Sequence, residues 1–242
     1  MFFKKALILT VLSLLLCPTI AAGFCFDAPV NYAAGNSPYS VFAVDLDGDG
    51  DFDLAVANLN NNNVSVLKNN GDGTFAAAVN YAVGTSPISV FAADLDGDGD
   101  SDLAVANFSS NNISVLKNNG TGTFAVAVNY AAGTWAFSVF ATDIDGDNDA
   151  DLAVANYLSN NVSVLKNNGN GTFAAAVNYA AGSGPWSVFA ADLDGDNDAD
   201  LTVANAFSDD VSVLKNNGDG TFAAAVNYAV GTSPISVFAA DL

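Results

Sequence analysis

The chain has 242 residues, with 26 acidic side chains against 6 basic ones and a formal net charge of −20. Every acid is Asp and every base is Lys, while His, Glu, Arg and Gln do not occur. That excludes a nucleic-acid partner, which would need clustered Lys and Arg, and argues against an enzyme, since most acid–base and acyl-transfer chemistry runs through His, Glu or an activated Cys.

Hydrophobic residues make up 51% of the chain and charged ones 13%, enough apolar material to fold. Without Glu, Gln and Arg, few good helix formers remain besides Ala. Val, Phe, Tyr and Thr beside many Gly and Asn point to strands and turns, and so to an all-β chain.

Residues 1–23 read as a secretory signal peptide. Lys4 and Lys5 precede an apolar run over residues 6–16, Pro18 breaks it, and Ala21, Ala22 and Gly23 suit cleavage. A membrane-spanning helix wants about 20 apolar residues, so this segment is expected to be a leader rather than an anchor. The mature protein is then secreted, periplasmic or at the cell surface, with no membrane span. Cys17 leaves with the leader, and Cys25 has no partner within the chain.

Residues 24–242 are one unit repeated at a spacing of 49. The segment beginning at Asp45 recurs at Asp94, Asp143 and Asp192, and a stub starts at Asp241. Units run over about 26–73, 74–122, 123–171 and 172–220, with a partial unit at 221–242. In the second copy, residues 89–93 form a short apolar run. An Asp/Gly loop follows over 94–102, then a second run over 102–107 and an alternating strand over 113–117. The turn NNGTG at 118–122 leads to a fourth strand over 123–130. Four short strands, with no space for a helix of more than two turns, predict a four-stranded antiparallel propeller blade. Such a unit has too few bulky residues to bury its own faces and must stack on its neighbours.

The Asp loop predicts a metal site. In the first unit, carboxylates stand at positions one, three, five, seven and nine: Asp45, Asp47, Asp49, Asp51 and Asp53. Position seven can also offer its carbonyl. The other sets are Asp94, Asp96, Asp98, Asp100 and Asp102; Asp143, Asp145, Asp147, Asp149 and Asp151; and Asp192, Asp194, Asp196, Asp198 and Asp200. Five carboxylates in nine residues repel one another unless a hard cation joins them. Ca²⁺ accepts 6–8 oxygens in flexible geometry, so about four Ca²⁺ per chain are expected. Gly48 and Gly50 allow the positive φ of a wrapped loop, and Asn148 and Asn197 replace the second Gly where Asn tolerates that region. The loop is no EF-hand, because position twelve is Val56 rather than a bidentate Glu.

The DxDGDGxxDL loops, LKNNGDGTF turns and NYAVGTSPISVFAADLDGDGD stretches resemble bacterial FG-GAP/VCBS repeat proteins, related to the integrin α-subunit propeller. The resemblance covers residues 26–242. It implies an exported, calcium-bearing β-propeller, often of seven blades, used in adhesion or as an appendage of larger enzymes. It places the metal loop between the first and second strands of each blade and carries the ligands onto the four Asp sets. It also makes the first strand innermost and the fourth outermost.

With about 4.5 units, the chain is expected to be an incomplete propeller. It would open with a fourth-type strand at 28–32 and end with a first-type strand at 236–240. An open arc exposes two blade faces and is expected to self-associate.

The units differ mainly in loops at the end away from the Asp loops. There Trp135, Phe137, Tyr157 and Trp186 are candidate ligand contacts, set against the plainer reading that they fill space between blades. Lys68, Lys117, Lys166 and Lys215 are expected to be strand-edge charges that discourage aggregation. The favoured function is an exported binding or adhesion module for a glycan or an extracellular protein. The alternatives are a non-catalytic part of a secreted polysaccharide- or phosphoester-degrading enzyme, and a structural spacer of a surface protein.

Overall fold

The computed structural model of the chain describes residues 29–240. The expected leader, Cys17, Cys25 and Asp241 lie outside the described residues. Sixteen strands make four sheets of four. The first holds β1 (Pro38–Val44), β2 (Asp53–Asn58), β3 (Asn63–Leu67) and β4 (Val79–Ala82). The second holds β5 (Pro87–Ala93), β6 (Asp102–Asn107), β7 (Asn112–Leu116) and β8 (Val128–Ala131). The third holds β9 (Ala136–Thr142), β10 (Asp151–Asn156), β11 (Asn161–Leu165) and β12 (Val177–Ala180). The fourth holds β13 (Pro185–Ala191), β14 (Asp200–Asn205), β15 (Asp210–Leu214) and β16 (Val226–Ala229). Each sheet is an antiparallel meander in chain order, as a propeller blade requires.

The sequence pattern explains each strand's place. DLAVAN sets an apolar LAVA run between an Asp and an Asn, and β6 and β10 are buried along their whole length. The first strands alternate, as β5 does, because one face meets the preceding blade. VNYA, on the outer edge, is largely exposed.

No blade owns a core. Each apolar cluster lies between two blades: Leu46 and Val66 of the first gather with Val90 and Phe124 of the second. Leu95 and Val115 do the same with Val139 and Phe173, and Ile144 and Val164 with Val188 and Phe222. Two aromatic series repeat across these joints. Phe42, Phe91, Phe140, Phe189 and Phe238 follow one another with ring centroids 4.8 Å apart. The pairs Tyr32–Phe75, Tyr81–Phe124, Tyr130–Phe173 and Tyr179–Phe222 meet edge to face at 5.2–5.3 Å.

The blades form an arc that is not closed. Val41 on β1 is 61% exposed, while its equivalents Val90, Val139 and Val188 are each 4% exposed. Leu193 of the fourth blade is 40% exposed, whereas Leu46 and Leu95 are 2% and 1%.

The expectation of further strands at 28–32 and 236–240 needs correction. Residues 29–32 and 236–240 carry no strand pairing. A strand needs a hydrogen-bonded neighbour, and among the described residues neither segment has one from its own blade. Their aromatic residues still take the repeat positions, Tyr32 on Phe75 and Phe238 on Phe189.

Candidate metal sites and an aromatic face

Each Asp loop joins the first and second strands of a blade, and the β3–β4 type turn lies at the same end. In the first loop, Gly48 N and Gly50 N donate to the two oxygens of Asp45 at 2.8 and 2.9 Å. Gly48 and Gly50 have φ of 77° and 92°, and Asn148 and Asn197 take 71° at the second of these positions. This is the left-handed conformation that the Gly/Asn pattern predicts.

The ninth residue locks the loop to the turn. Asp53 is fully buried and accepts from Leu46 N at 3.0 Å and from Asn69 N at 2.7 Å. Asp102, Asp151 and Asp200 do the same in their blades.

Positions one, three and nine converge. Carboxylate oxygens of Asp45, Asp47 and Asp53 lie within 4.8 Å of one another, as do those of Asp94, Asp96 and Asp102, of Asp143, Asp145 and Asp151, and of Asp192, Asp194 and Asp200. Positions five and seven stand outside these clusters. Asp49 accepts from Asp51 N at 2.9 Å, and Asp98, Asp147 and Asp196 make the same local bond to Asp100, Asp149 and Asp198.

Burial pushes the carboxyls of Asp102 and Asp151 up to about 6, with neighbouring carboxylates adding to the rise, and Asp53 is raised for the same reasons. One oxygen each of Asp47, Asp96 and Asp145 is buried without a hydrogen-bond partner. Three clustered carboxylates with a buried, unpartnered oxygen among them are an all-oxygen donor set suited to a hard cation. The four clusters could therefore hold metal ions.

The lysines are not free edge charges, and that expectation is corrected. Lys68, Lys117 and Lys166 pair with Asp47, Asp96 and Asp145 at 3.3, 3.2 and 3.1 Å. The same ammonium groups donate to the carbonyls of Thr121, Asn170 and Asp219 in the next blade. Lys215 pairs with Asp194. Lys68, Lys117 and Lys166 thus tie their acidic loops to the following blade.

Sequence reasoning also missed a buried asparagine at that joint. Asn118 Nδ2 donates to Leu46 O of the preceding blade at 2.7 Å, and Asn167 and Asn216 donate to Leu95 O and Ile144 O at 2.8 and 2.7 Å. The NNG signature marks these residues, but it reads equally well as turn chemistry.

At the opposite end the structure brings Trp135, Phe137, Tyr157 and Trp186 together. Trp135 stacks on Tyr157 at 5.8 Å, Phe137 meets Trp186 at 4.4 Å, and Tyr157 meets Trp186 edge to face at 5.6 Å. Phe108 and Phe207 extend the cluster on either side. All four predicted residues are half-buried. Trp135 sits at φ 60°, where the other units place Ser37, Ser86, Gly184 and Ser233. A bulky residue in the left-handed region costs on the order of 1–3 kcal/mol. Asn111 Oδ1 accepts from Trp135 N at 2.8 Å and Tyr157 N donates to Trp135 O at 2.9 Å, and these bonds hold it there.

Solved structures share the architecture. An Agrocybe aegerita lectin described as recognising non-reducing terminal N-acetylglucosamine is 28% identical, with a TM-score of 0.57 over 77% of this chain and 51% of the lectin. A periplasmic gluconolactonase from Pseudomonas aeruginosa is 16% identical, with a TM-score of 0.62 over 81% of this chain and 55% of that one. The biofilm matrix protein Bap1 of V. cholerae is 22% identical, with a TM-score of 0.53 over 81% of this chain and 30% of that protein. The chain thus spans about half or less of the length of these proteins. No curated protein matches it significantly. The model of the FG-GAP-like repeat matches at residues 45–105, 94–154 and 143–203, each match opening on the first Asp of an acidic loop. Those matches run through more than half of the chain, which belongs to the FG-GAP-like repeat family.

Proposed function

We propose that the chain is an exported, calcium-binding propeller module that binds a glycan on its aromatic end and performs no chemistry of its own. The observation that carries this reading is the aromatic cluster around Trp135, held in a strained backbone conformation at the end away from the Asp loops. Strain of that kind persists where the surrounding structure enforces it and is typical of ligand-contacting positions. Trp and Tyr offer large, rigid, amphipathic faces at low entropic cost. The described lysines all stand at the other end, so an uncharged ligand is favoured over a phosphate or a polyanion. Neighbouring Ser109, Ser159 and Ser183 supply hydroxyls for polar contacts. The likeness to the Agrocybe aegerita lectin supports a sugar as the ligand class.

In this reading, Asp45, Asp47 and Asp53 and their three counterpart sets would hold Ca²⁺, with the loop carbonyls at hand. A bound cation supplies positive charge where buried carboxylates otherwise repel, and so stiffens the joint between blades.

The test is a glycan array probed with the calcium-loaded chain and with a W135A/W186A variant. The expected result is binding to a defined glycan that the double variant loses while its calcium stoichiometry stays the same. Absence of any glycan signal, or binding that the variant retains, overturns the reading. Unfolding of the variant would assign the aromatics to packing instead, and turnover of a substrate by the purified chain would refute the absence of chemistry.

A further inference from the structure

We infer that Asn119 is a site of spontaneous modification, losing its side-chain amide to the backbone nitrogen of Gly120 while the equivalent asparagines of the other three blades keep theirs. Each blade carries an Asn-Gly pair in the turn before its fourth strand: Asn70–Gly71, Asn119–Gly120, Asn168–Gly169 and Asn217–Gly218. The reaction is intramolecular. The Gly nitrogen attacks Asn Cγ, a Cγ–N bond forms, the Cγ–Nδ2 bond breaks, and Nδ2 leaves as ammonia with the proton of the Gly N–H. Water then opens the succinimide at one carbonyl or the other, leaving Asp or isoaspartate. Glycine favours the attack because no Cβ obstructs its backbone. Lys and Asn precede all four pairs, and all four asparagines are exposed, so neither local sequence nor exposure separates them.

Hydrogen bonding does. In three of the turns both the attacking and the leaving nitrogen are engaged. Gly71 N, Gly169 N and Gly218 N donate to Oδ1 of Asn69, Asn167 and Asn216, each at 3.1 Å. Nδ2 of Asn70, Asn168 and Asn217 donates to Oγ1 of Thr74, Thr172 and Thr221 at 2.9, 3.0 and 2.9 Å. The second blade has neither bond. Asn118 Oδ1 accepts from Asn119 N at 2.9 Å, and among the described residues no acceptor meets Gly120 N or Asn119 Nδ2. Asn119 Oδ1 instead accepts from Thr121 N at 3.1 Å and from Thr121 Oγ1 at 2.7 Å. Two donors on that oxygen draw electron density from Cγ, the atom to be attacked. One residue causes the difference. Where the second blade has Thr121, the others have Asp72, Asn170 and Asp219, whose Oδ1 accepts from the turn threonine Oγ1 at 2.5–2.6 Å and so presents that oxygen to the Asn amide. Thr121 has no such acceptor.

A fifth pair, Asn170–Gly171, also has its side-chain oxygen held by a threonine. Its peptide group is clamped, however. The Asn170 carbonyl accepts from Lys117, and Gly171 is buried, with Lys117 Cε and Asp96 Cβ 2.6 and 3.0 Å from the place of a Cβ. Ring closure has to turn that peptide, so packing protects it. Gly120 is only half-buried. The Asp100 carboxylate beside Gly120 has counterparts beside Gly71, Gly169 and Gly218, so it does not distinguish the turns. The product places a new carboxylate, and in isoaspartate an extra backbone methylene, between two residues that join the first and second blades. These are Asn118, bonded to Leu46 O, and Thr121, whose carbonyl holds Lys68.

Peptide mapping by mass spectrometry, on the native chain held in mildly alkaline buffer below its melting temperature, tests the inference. Enzymatic methylation of isoaspartate gives a second count. Asn119 should lose its amide about ten times faster than Asn70, Asn168 and Asn217, because two hydrogen bonds must break first in those turns. In denaturant the four should react at similar rates, a comparison that needs no variant. T121D supplies the acceptor found in the first and fourth turns and should slow Asn119 to their rate. Chains modified at Asn119, separated by anion exchange, should melt at lower temperature. Equal native rates at the four positions, fastest loss at Asn170, a preference that survives denaturation, or an unchanged rate in T121D overturns the proposal. An undiminished melting temperature refutes the loosening of the joint. Neither a metal nor a glycan enters the reaction, so the result stands apart from both of those readings.

Discussion

Asp145 shows how much one side chain is asked to do. One of its oxygens pairs with Lys166 at 3.1 Å, and the other is buried with no partner. Asp145→Asn keeps the shape and removes a charge from the cluster with Asp143 and Asp151. Calorimetric titration of the chelator-stripped variant should then saturate near three equivalents of Ca²⁺ rather than about four. Two ninth-position residues, Asp102 and Asp151, set a pH dependence. The carboxyls of Asp102 and Asp151 titrate at about 6 in the fold against 3.8 when unfolded. Between those values the folded state holds more protons, so stability falls as pH rises. The metal-free chain should melt at higher temperature near pH 5 than near pH 7.5, by scanning calorimetry in chelator. Depressed groups such as Asp72 and Asp219 act below 3.8 and leave this window untouched. Calcium competes with those protons, so its affinity should drop as pH falls through about 6.

Between elements, the joints decide stability, because every apolar cluster is shared by two blades. Asn167 Nδ2 serves Leu95 O and Ala150 O, and its side chain is nearly fully buried. Asn167→Ala leaves a buried carbonyl unpaired and should cost about 1–3 kcal/mol. That corresponds to a fall in melting temperature of several degrees, at about 2–4 °C per kcal/mol for a chain of this size. Asn69→Ala, at the open end of the first blade, should cost clearly less in dilute solution. Equal losses would show that the inter-blade bond contributes little. Close approach constrains the inter-blade linkers as well. A Cβ on Gly133 would fall 2.6–2.8 Å from the Asn156 side chain. That Asn accepts from Gly133 N at 3.0 Å and donates to Ser163 Oγ at 2.8 Å. Gly133→Ala should break this contact and lower the melting temperature.

Across the whole molecule, charge opposes compactness. The chain carries a formal −20, and twenty of its 26 Asp stand in four loops at one end of the blades. A cation that binds only the folded loops stabilises the fold by mass action, about 2.7 kcal/mol per site at one hundred times its Kd. Thermal melts should therefore rise with calcium and fall with chelator. A curve indifferent to both would refute coupling between metal and fold. The four lysine–aspartate pairs soften the repulsion but leave three carboxylates in each cluster, so they do not replace a cation.

Features that arise within a few residues of one another are legible in the sequence by itself. The 49-residue period, the four strands per unit and the positive φ at Gly48, Gly50, Asn148 and Asn197 are all of this kind, because backbone sterics and strand alternation act locally. Loop spacing also singled out positions one, three and nine, whose carboxylates converge. It did not show that Asp49 turns to the backbone of Asp51 instead. What only the tertiary structure decided depends on residues about 50 to 70 apart. Lys68 has the spacing of an edge charge and is an inter-blade tie, and Asn118 has the setting of a turn residue and is buried against Leu46. Residues 29–32 and 236–240 carry a strand pattern without strand pairing. A strand is completed by its neighbour, and a blade face by the next blade, so no pattern within one unit can say whether that neighbour is there.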